Sequence, residues 1–380
     1  MKARTSLIHH PYVAPGEFEA ATVGVFKAST VVFPSVQAMR QRRWQDKSGY
    51  TYGLHGTPTT FTLEERLASL EGGRFCVLAP SGLSAIALVN LAFLAAGDEV
   101  LLPDHVYGPN RDMALHTLAR WGIVAKVYKS LDLDDLSRQF TPRTRLVWIE
   151  AAGSVTLEFP DVAGVVDRVR QVNAVRAPHQ RVITALDNTW GAGVAFCPFD
   201  MGVDVSMHAL TKFPSGGADV LMGSVVTRDE ALHRQLLDMH MHLGLGVAAN
   251  DVELVLRSLP TIHLRYAQQS QSASVLAQWL VQHPQVAHVA YPGLPTSPGH
   301  AHWLQTGAQW GGCLLTLGFS SAVSEAQIVA FCEALRCFKL GYSWAGPMSL
   351  VMLYDLSKMR SDRSASASPY GVRLAVGLED

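Results

Sequence analysis

Two groups in this chain have clear chemical potential: a carboxylate that ends one apolar run and a lysine that follows another. Asp187 closes the run Val182-Ile183-Thr184-Ala185-Leu186, and Lys212 follows Ser206-Met207-His208-Ala209-Leu210-Thr211, 25 positions later. A lysine after a strand is ordinarily a solvated loop charge, and an aspartate there is ordinarily a cap or turn residue. Here Ala209, Leu210 and Phe213 surround Lys212, and an apolar setting lowers a lysine pKa toward a usable amine nucleophile. A third place, Pro80-Ser81-Gly82-Leu83-Ser84, opens a helical pattern with small residues. The free amides of such a start suit an anion, although Ser-Gly before a helix is also ordinary capping. An amine, a carboxylate and an anion cradle together match what pyridoxal phosphate requires. The lysine bonds its aldehyde, the acid keeps its pyridine nitrogen protonated, and the helix start takes its phosphate.

Alternating elements must hold these groups. Strand-length apolar runs occur at 99–102, 123–128, 145–149, 182–186, 203–207 and 220–226, with helical patterns at 84–95, 111–120 and 162–172. That alternation predicts an α/β fold, a mostly parallel sheet covered by helices on both faces. Ligands in such sheets sit beyond the carboxyl ends of the strands, where Asp187 and Lys212 fall. Thr62 and Glu65 read as a capping box starting a helix that Gly72 closes. Between Lys212 and the last of these runs, Pro214-Ser215-Gly216-Gly217 reads as a flexible stretch. After about residue 245 a long helical stretch, 251–283, carries Pro260, which should break it. Alternating runs at 287–290, 312–319, 350–354 and 372–376, with a helix at 325–335, predict a smaller α+β domain with an antiparallel sheet. Residues 361–368, SDRSASAS, read as a mobile loop between strands. The expected division is an N-terminal arm at 1–60, a large cofactor-binding domain at 61–245 and a C-terminal domain at 246–380.

Composition excludes several alternatives. With 31 Lys+Arg against 32 Asp+Glu, the chain has no surplus of cations for a phosphate backbone, so nucleic acid is not an expected partner. Only 17% of residues are charged, which suggests surface covered in a homo-oligomer. Cys76, Cys197, Cys313, Cys332 and Cys337 form no CxxC pair and read as thiols of a reducing cytosol. Neither a signal-peptide core nor a membrane-spanning run is present in the sequence, so a soluble cytoplasmic protein is expected. Gly191-Ala192-Gly193 lacks the third glycine of a dinucleotide fingerprint, and there is no Walker A sequence. His9, His10, His240, His242 and Asp238 have no metal-ligand spacing, and no metal site is expected.

Beyond these groups, the chain resembles the Cys/Met-metabolism family of pyridoxal-phosphate-dependent enzymes. The segments that carry the resemblance run in order: Tyr52-Gly53 with Gly56-Thr57, Leu70–Gly73, Pro80–Gly82, Tyr107-Gly108-Pro109, Glu150, and Gly153-Ser154. They continue with Asp187–Gly193, Thr211-Lys212, Gly216–Gly223, Tyr342–Gly346 and Arg373–Asp380. The resemblance implies fold type I, the transferase type, with a mostly parallel seven-stranded sheet between helices. It implies pyridoxal 5'-phosphate bonded to Lys212 and paired with Asp187, with Tyr107 stacked on its ring. Gly82, Leu83 and Thr211 would bind the phosphate, joined by Tyr52 of a neighbouring subunit, and Ser154 would lie near the ring hydroxyl. Lys212 would also move the substrate's Cα proton. Arg373, with Ser343, would hold the substrate carboxylate, beside Tyr342 and Trp344. A tetramer built as a dimer of dimers with shared sites is implied.

Departures from the family pattern are specific. Leu54 replaces a phosphate-binding arginine, His55 follows it, Ala209 stands at a common serine position and Ser154 at a common asparagine. The sequence stops at Gly377-Leu378-Glu379-Asp380 where relatives continue, which implies a natural chain extending past Asp380. Members acting at Cγ carry an acidic residue near a Leu-Gly-Gly turn, whereas Tyr342-Ser343-Trp344-Ala345-Gly346 resembles the β-lyase version. Pro347 and Met348 replace a Glu and an aromatic further on, which leaves the substrate range open. The expected reaction is cleavage of L-cystathionine to homocysteine, pyruvate and ammonia in methionine biosynthesis, with cysteine S-conjugates and cystine as further substrates. The alternatives are a γ-lyase or γ-replacement enzyme of the family, such as a cystathionine gamma-synthase, an O-acetylhomoserine sulfhydrylase or a methionine gamma-lyase, and a non-catalytic regulator that retains the fold.

Overall fold

A computed structural model describes residues 20–358 and 367–380. Residues 1–19 and most of the predicted loop at 361–368 therefore lie outside the described residues, as do His9 and His10.

The larger sheet has seven strands: β1 (Phe75–Ala79), β2 (Glu99–Pro103), β3 (Val124–Tyr128), β4 (Thr144–Glu150), β5 (Ile183–Asp187), β6 (Val205–Ala209) and β7 (Gly223–Thr227). Their order across the sheet is β1-β7-β6-β5-β4-β2-β3. The pairings β2·β3, β2·β4, β4·β5 and β5·β6 are parallel, while β7 runs antiparallel to both β6 and β1. Strand β2 is buried at every position and β5 likewise, so each reads as a continuous apolar run instead of an alternation. Two core clusters cover opposite faces of the sheet: one contains Val77, Val100, Leu102 and Met207, the other Leu78, Leu101, Val147 and Leu186.

Sequence patterning missed β1, a five-residue run between Gly73 and Pro80, and placed the last strand of this sheet too early. Residues 220–222 approach the cavity described below as irregular chain, and the strand begins at Gly223. The capping box also lies earlier than Thr62. Thr57 caps the helix Pro58–Glu71 with Thr60 as its reciprocal partner, and the Thr62 hydroxyl donates to the Pro58 carbonyl. Proline fits the first helical turn, where its missing N–H costs nothing, and this shifts the start. Gly72 ends the helix at φ 71° as expected. The patterned helix at 111–120 forms as a short α-helix, a π turn and a 3₁₀ turn in succession, 108–121.

Beyond the large sheet, the helix at Ala249–Ser258 breaks at Leu259–Thr261, which contains Pro260, and resumes at Ile262–Val281. A second sheet follows: β8 (Val286–Ala290), β9 (Leu314–Ser320), β10 (Lys339–Leu340), β11 (Leu350–Asp355) and β12 (Ala367–Ala375), in the order β10-β11-β12-β9-β8. It is antiparallel except for the short β10·β11 pair. Residues 20–57 hold only the helix Val36–Arg40, a 3₁₀ turn at Gly53–His55 and a single bridge between Thr30 and Tyr52.

Candidate active site

Asp187 and Lys212 meet where the sequence places them. Strand β5 ends on Asp187 and its neighbour β6 ends on Ala209, from which the chain turns through Leu210 and Thr211 to Lys212. Both residues line a cavity of about 570 Å³, together with Gly82, Leu83, Tyr107, Ser154, Thr211, Tyr342, Ser343, Trp344 and Arg373. All the predicted site residues except Tyr52 are thus brought to one place. Tyr52 does not reach the cavity of its own chain. It lies half-exposed, its ring edge-on to His55 at 6.0 Å.

The turn that carries Lys212 is a fixed structure. Leu210 and Phe213 are fully buried, Pro214 and Ser215 are buried, and the Ser215 hydroxyl donates to the Thr211 carbonyl at 3.1 Å. Arg265 adds a bond from Nη1 to the Phe213 carbonyl at 2.6 Å. The expected flexible stretch is therefore a pinned turn through Ser215, because its backbone groups find buried partners. Lys212 Nζ donates to Ser343 Oγ and lies 5.4 Å from the Trp344 ring centroid. Burial, followed by the nearby Arg373 guanidinium, lowers the Lys212 pKa to about 8. A substantial fraction of its amine is then uncharged near neutral pH, as a nucleophile or a base needs.

Two carboxylates stand side by side at the strand ends. Glu150 and Asp187 pair in register across β4 and β5. Burial and the Asp187 charge push the Glu150 pKa well up, against the pull of backbone amides at Tyr107 and Ser154. Burial also raises Asp187, while bonds from Thr189 and the charges of His208 and Lys212 hold it down. Like charges this close disfavour joint ionisation, and the stronger upward push falls on Glu150, which leaves Asp187 the better placed to pair with a cation. Glu150 in turn accepts from the Tyr107 N–H at 2.7 Å, fixing the start of the segment that presents the Tyr107 ring.

The anion cradle is a tight junction. Ser81 caps the helix Gly82–Phe93 by accepting from Ser84 N at 3.0 Å, which leaves the Gly82 and Leu83 amides without intrahelical partners. A Cβ on Gly82 would lie 2.6 Å from Ala209 Cβ, and one on Gly223 would lie 2.4 Å from the Ser81 carbonyl oxygen. Glycine at both positions lets the helix start sit against the ends of β6 and β7. The Thr211 hydroxyl exchanges long bonds with Met222, donating to its carbonyl at 3.4 Å and accepting from its N–H at 3.3 Å, so its single O–H is weakly engaged and can turn from the carbonyl to an anion.

The opposite wall comes from the second sheet. Arg373 on β12 is buried, its guanidinium carbon lies 5.2 Å from the Tyr354 ring centroid, and Nη2 donates to the Ser343 carbonyl at 3.5 Å. Its Nε is buried without a partner, a donor suited to a carboxylate. The loop between β10 and β11 carries Ser343 at φ 81° and Ala345 at φ 63°, a region that costs non-glycine residues energy. Gln269, on the helix Ile262–Val281, holds this loop by donating from Nε2 to the carbonyls of Gly346 at 2.9 Å and Val376 at 3.1 Å. Sequence reading missed the roles of Gln269, Tyr354 and the Glu150 side chain. Glu150 had a usable signal, since it ends an apolar run as Asp187 does; Gln269 had none beyond a polar residue on a helix.

An apolar-walled cavity with an amine of lowered pKa, two carboxylates at neighbouring strand ends, an amide cradle and a buried guanidinium defines a fold-type-I pyridoxal-phosphate site on an α/β sheet. The fit to the cofactor rests on the Gly82 and Leu83 amides, the lowered amine and the Asp187 carboxylate at the end of β5.

The family of Cys/Met metabolism PLP-dependent enzymes matches residues 4–380, and the chain belongs to it. Among curated relatives, it is 38% identical to a putative cystathionine beta-lyase of Rhizobium johnstonii over 94% of this chain and 87% of that protein. It is 34% identical to the cystathionine beta-lyase of Escherichia coli strain K12, over 93% of this chain and 89% of that protein. Among solved structures, the cystathionine gamma synthase of Xanthomonas oryzae pv. oryzae superposes with a TM-score of 0.83 at 29% identity, covering 95% of this chain and 90% of that one. Among the described residues no helix is long and apolar enough to cross a membrane.

Proposed function

We propose that this chain is a pyridoxal-phosphate-dependent carbon–sulfur β-lyase that cleaves L-cystathionine to homocysteine, pyruvate and ammonia. The observation that carries the choice of Cβ over Cγ is the wall facing Lys212. It consists of Ser343 and Trp344, with no acidic side chain from the 342–348 loop, and among the described residues the acids lining the cavity are Asp187 and Glu150. The two β-lyase relatives named above support the same choice.

Bound pyridoxal phosphate supplies an electron sink for the pair left at Cα when its proton departs. Lys212 would hold the cofactor through Nζ, Asp187 would pair with its pyridine nitrogen, and the Gly82 and Leu83 amides with the Thr211 hydroxyl would take its phosphate. Tyr107 and Ser154, which line the same cavity, would serve its ring. Arg373 grips the substrate carboxylate, with Ser343 completing that pocket and Tyr342 and Trp344 flanking it. That grip aims the Cα–H bond at Lys212 Nζ, whose lowered pKa lets it accept the proton and return one to the leaving sulfur.

The arm expected at 1–60, of which residues 20–60 are described, would lay Tyr52 on a neighbouring subunit in an oligomer with shared sites, a tetramer of paired dimers. The exposed apolar residues Val32, Val36 and Met39 support that reading. Five free cysteines fit a reducing cytoplasm. Incubating the holoenzyme with L-cystathionine and assaying products tests the reaction. Pyruvate with homocysteine is expected, and 2-oxobutyrate with cysteine points to a γ-lyase instead.

A further inference from the structure

The residues at the ends of β5 and β6 alternate between the cavity and a second, fully buried cluster. Asp187, Thr189, Met207 and Ala209 line the cavity, whereas Asn188, Ser206 and His208, their neighbours in the chain, all turn to one side chain, Glu71. Asn188 Nδ2 donates to Glu71 Oε2 at 2.8 Å, the Ser206 hydroxyl donates to the same oxygen at 2.7 Å, and His208 Nδ1 lies 3.0 Å from Oε1. All four side chains are fully buried. Glu71 is the last residue of the helix Pro58–Glu71, whose Leu63 and Leu67 pack on the face of the sheet opposite Met207. A helix C-terminus disfavours a carboxylate, and so does burial, yet an apolar side chain here would strand three buried polar groups. The backbone beneath Glu71 is tied down as well. The Cys197 thiol donates to the Glu71 carbonyl at 3.1 Å, and Arg228 Nε to the Gly72 carbonyl at 2.7 Å. On the cavity face the Ala209 N–H donates to the Thr189 hydroxyl at 3.0 Å, and the Thr189 N–H donates to Asp187 Oδ1 at 3.0 Å. Asp187 thus takes its direction from a strand end that Glu71 grips one residue further along.

We propose that Glu71 is a positioning residue of the cofactor site, which clamps the ends of β5 and β6 through Asn188, Ser206 and His208 and so aims the Asp187 carboxylate at the pyridine nitrogen. This rests on the reading of Asp187 as the partner of that nitrogen and is independent of which carbon–sulfur bond the enzyme cleaves. Burial raises the Asp187 pKa, and the charge of His208, whose ring bonds to Glu71, is among the influences that oppose that rise.

The test compares how tightly the cofactor-free full chain binds pyridoxal 5'-phosphate and its 1-deaza analogue, in which carbon replaces the ring nitrogen, by equilibrium dialysis. Only the natural cofactor can use Asp187, so the wild-type chain should bind it at least about thirtyfold tighter, and Asp187→Asn should remove most of that preference. Glu71→Gln turns one acceptor into a donor, and should cut the preference at least about tenfold while affinity for the analogue changes by less than about threefold. Asn188→Ala, a smaller lesion that frees only β5, should cut it at least about threefold and decides the matter where Glu71→Gln does not fold. Leu63→Ala, about two turns away on the same helix, should lower Tm and leave the preference intact; an equal loss there would make the effect one of stability and overturn the proposal. A preference that Asp187→Asn removes but Glu71→Gln and Asn188→Ala leave whole overturns the proposal and spares the Asp187 reading. No preference in the wild-type chain refutes both.

Discussion

The two walls of the cavity are built by different means. On the cofactor side, Asp187, Lys212 and the Gly82 amides stand at or just beyond the ends of neighbouring strands and at a capped helix start, so the backbone hydrogen bonds of one sheet set their spacing. On the substrate side, Ser343 and Trp344 ride on a loop that holds two non-glycine residues at positive φ, and the loop keeps its shape through side chains from elsewhere. Gln269 ties it to the chain just past β12, and Arg373 reaches it from near the end of that strand. The first wall is rigid because it is regular. The second is held by a few specific bonds and is the part a single substitution can loosen.

Breaking the cofactor wall should have the largest effect. Lys212→Ala is expected to lower activity by about a thousandfold or more and to abolish the holoenzyme's absorbance near roughly 420 nm. Retained colour with lost activity would mean that another group holds the cofactor. Arg373→Lys keeps a charge but loses the planar fork, so kcat/KM should fall about a hundredfold, chiefly through KM, with cofactor content unchanged. Gln269→Leu removes the two bonds that tie the loop at Gly346 to the chain at Val376, each worth about 1 kcal/mol, and should raise KM about tenfold while cofactor affinity stays as it was. If cofactor affinity falls equally, the two walls are not separable.

Glu150→Gln sharpens the contrast from the other side. A carboxamide still accepts from the Tyr107 N–H, and the native carboxyl's pKa is pushed well up, so kcat should change by less than about threefold, whereas Glu150→Ala should lose the Tyr107 contact and cost more. The smallest effect is a shift in pH. Uptake of pyridoxal phosphate by the cofactor-free protein needs the uncharged Lys212 amine, whose pKa is depressed to about 8. Its rate should therefore rise with pH and level off above about 8, not near the ordinary lysine value. Arg373→Met removes a cation that disfavours the charged amine, so the midpoint should move up; a midpoint unmoved by this change would assign the depression to burial alone.

How far the sequence could be read depended on whether neighbours in the chain are neighbours in space. The strands from β2 to β6 are short, largely apolar runs separated by helical or polar stretches, and that pattern is local, so both the α/β class and the positions of Asp187 and Lys212 could be read from it. Strand β1 is just as apolar, but it is five residues long between a helix-closing glycine and a cap, and only its pairing with β7 defines it. The start of the helix at Pro58 was misplaced because Thr57 and Thr60 cap as well as Thr62 and Glu65 could, and the proline decided between them.

The sequence by itself determined the chemistry on offer: an amine and a carboxylate at successive strand ends, a small-residue helix start, and the ordered segments that mark the family. It could do so because the pKa setting of Lys212 begins with its adjacent apolar residues and because sheet strands deliver their last residues to a common edge. The tertiary structure alone decided that Glu150 and Asp187 stand in register with the stronger upward push on Glu150, that Arg373 lowers the lysine from across the cavity, and that Gln269 holds the substrate loop. These depend on burial and on distances between residues far apart in the chain, which no local pattern encodes.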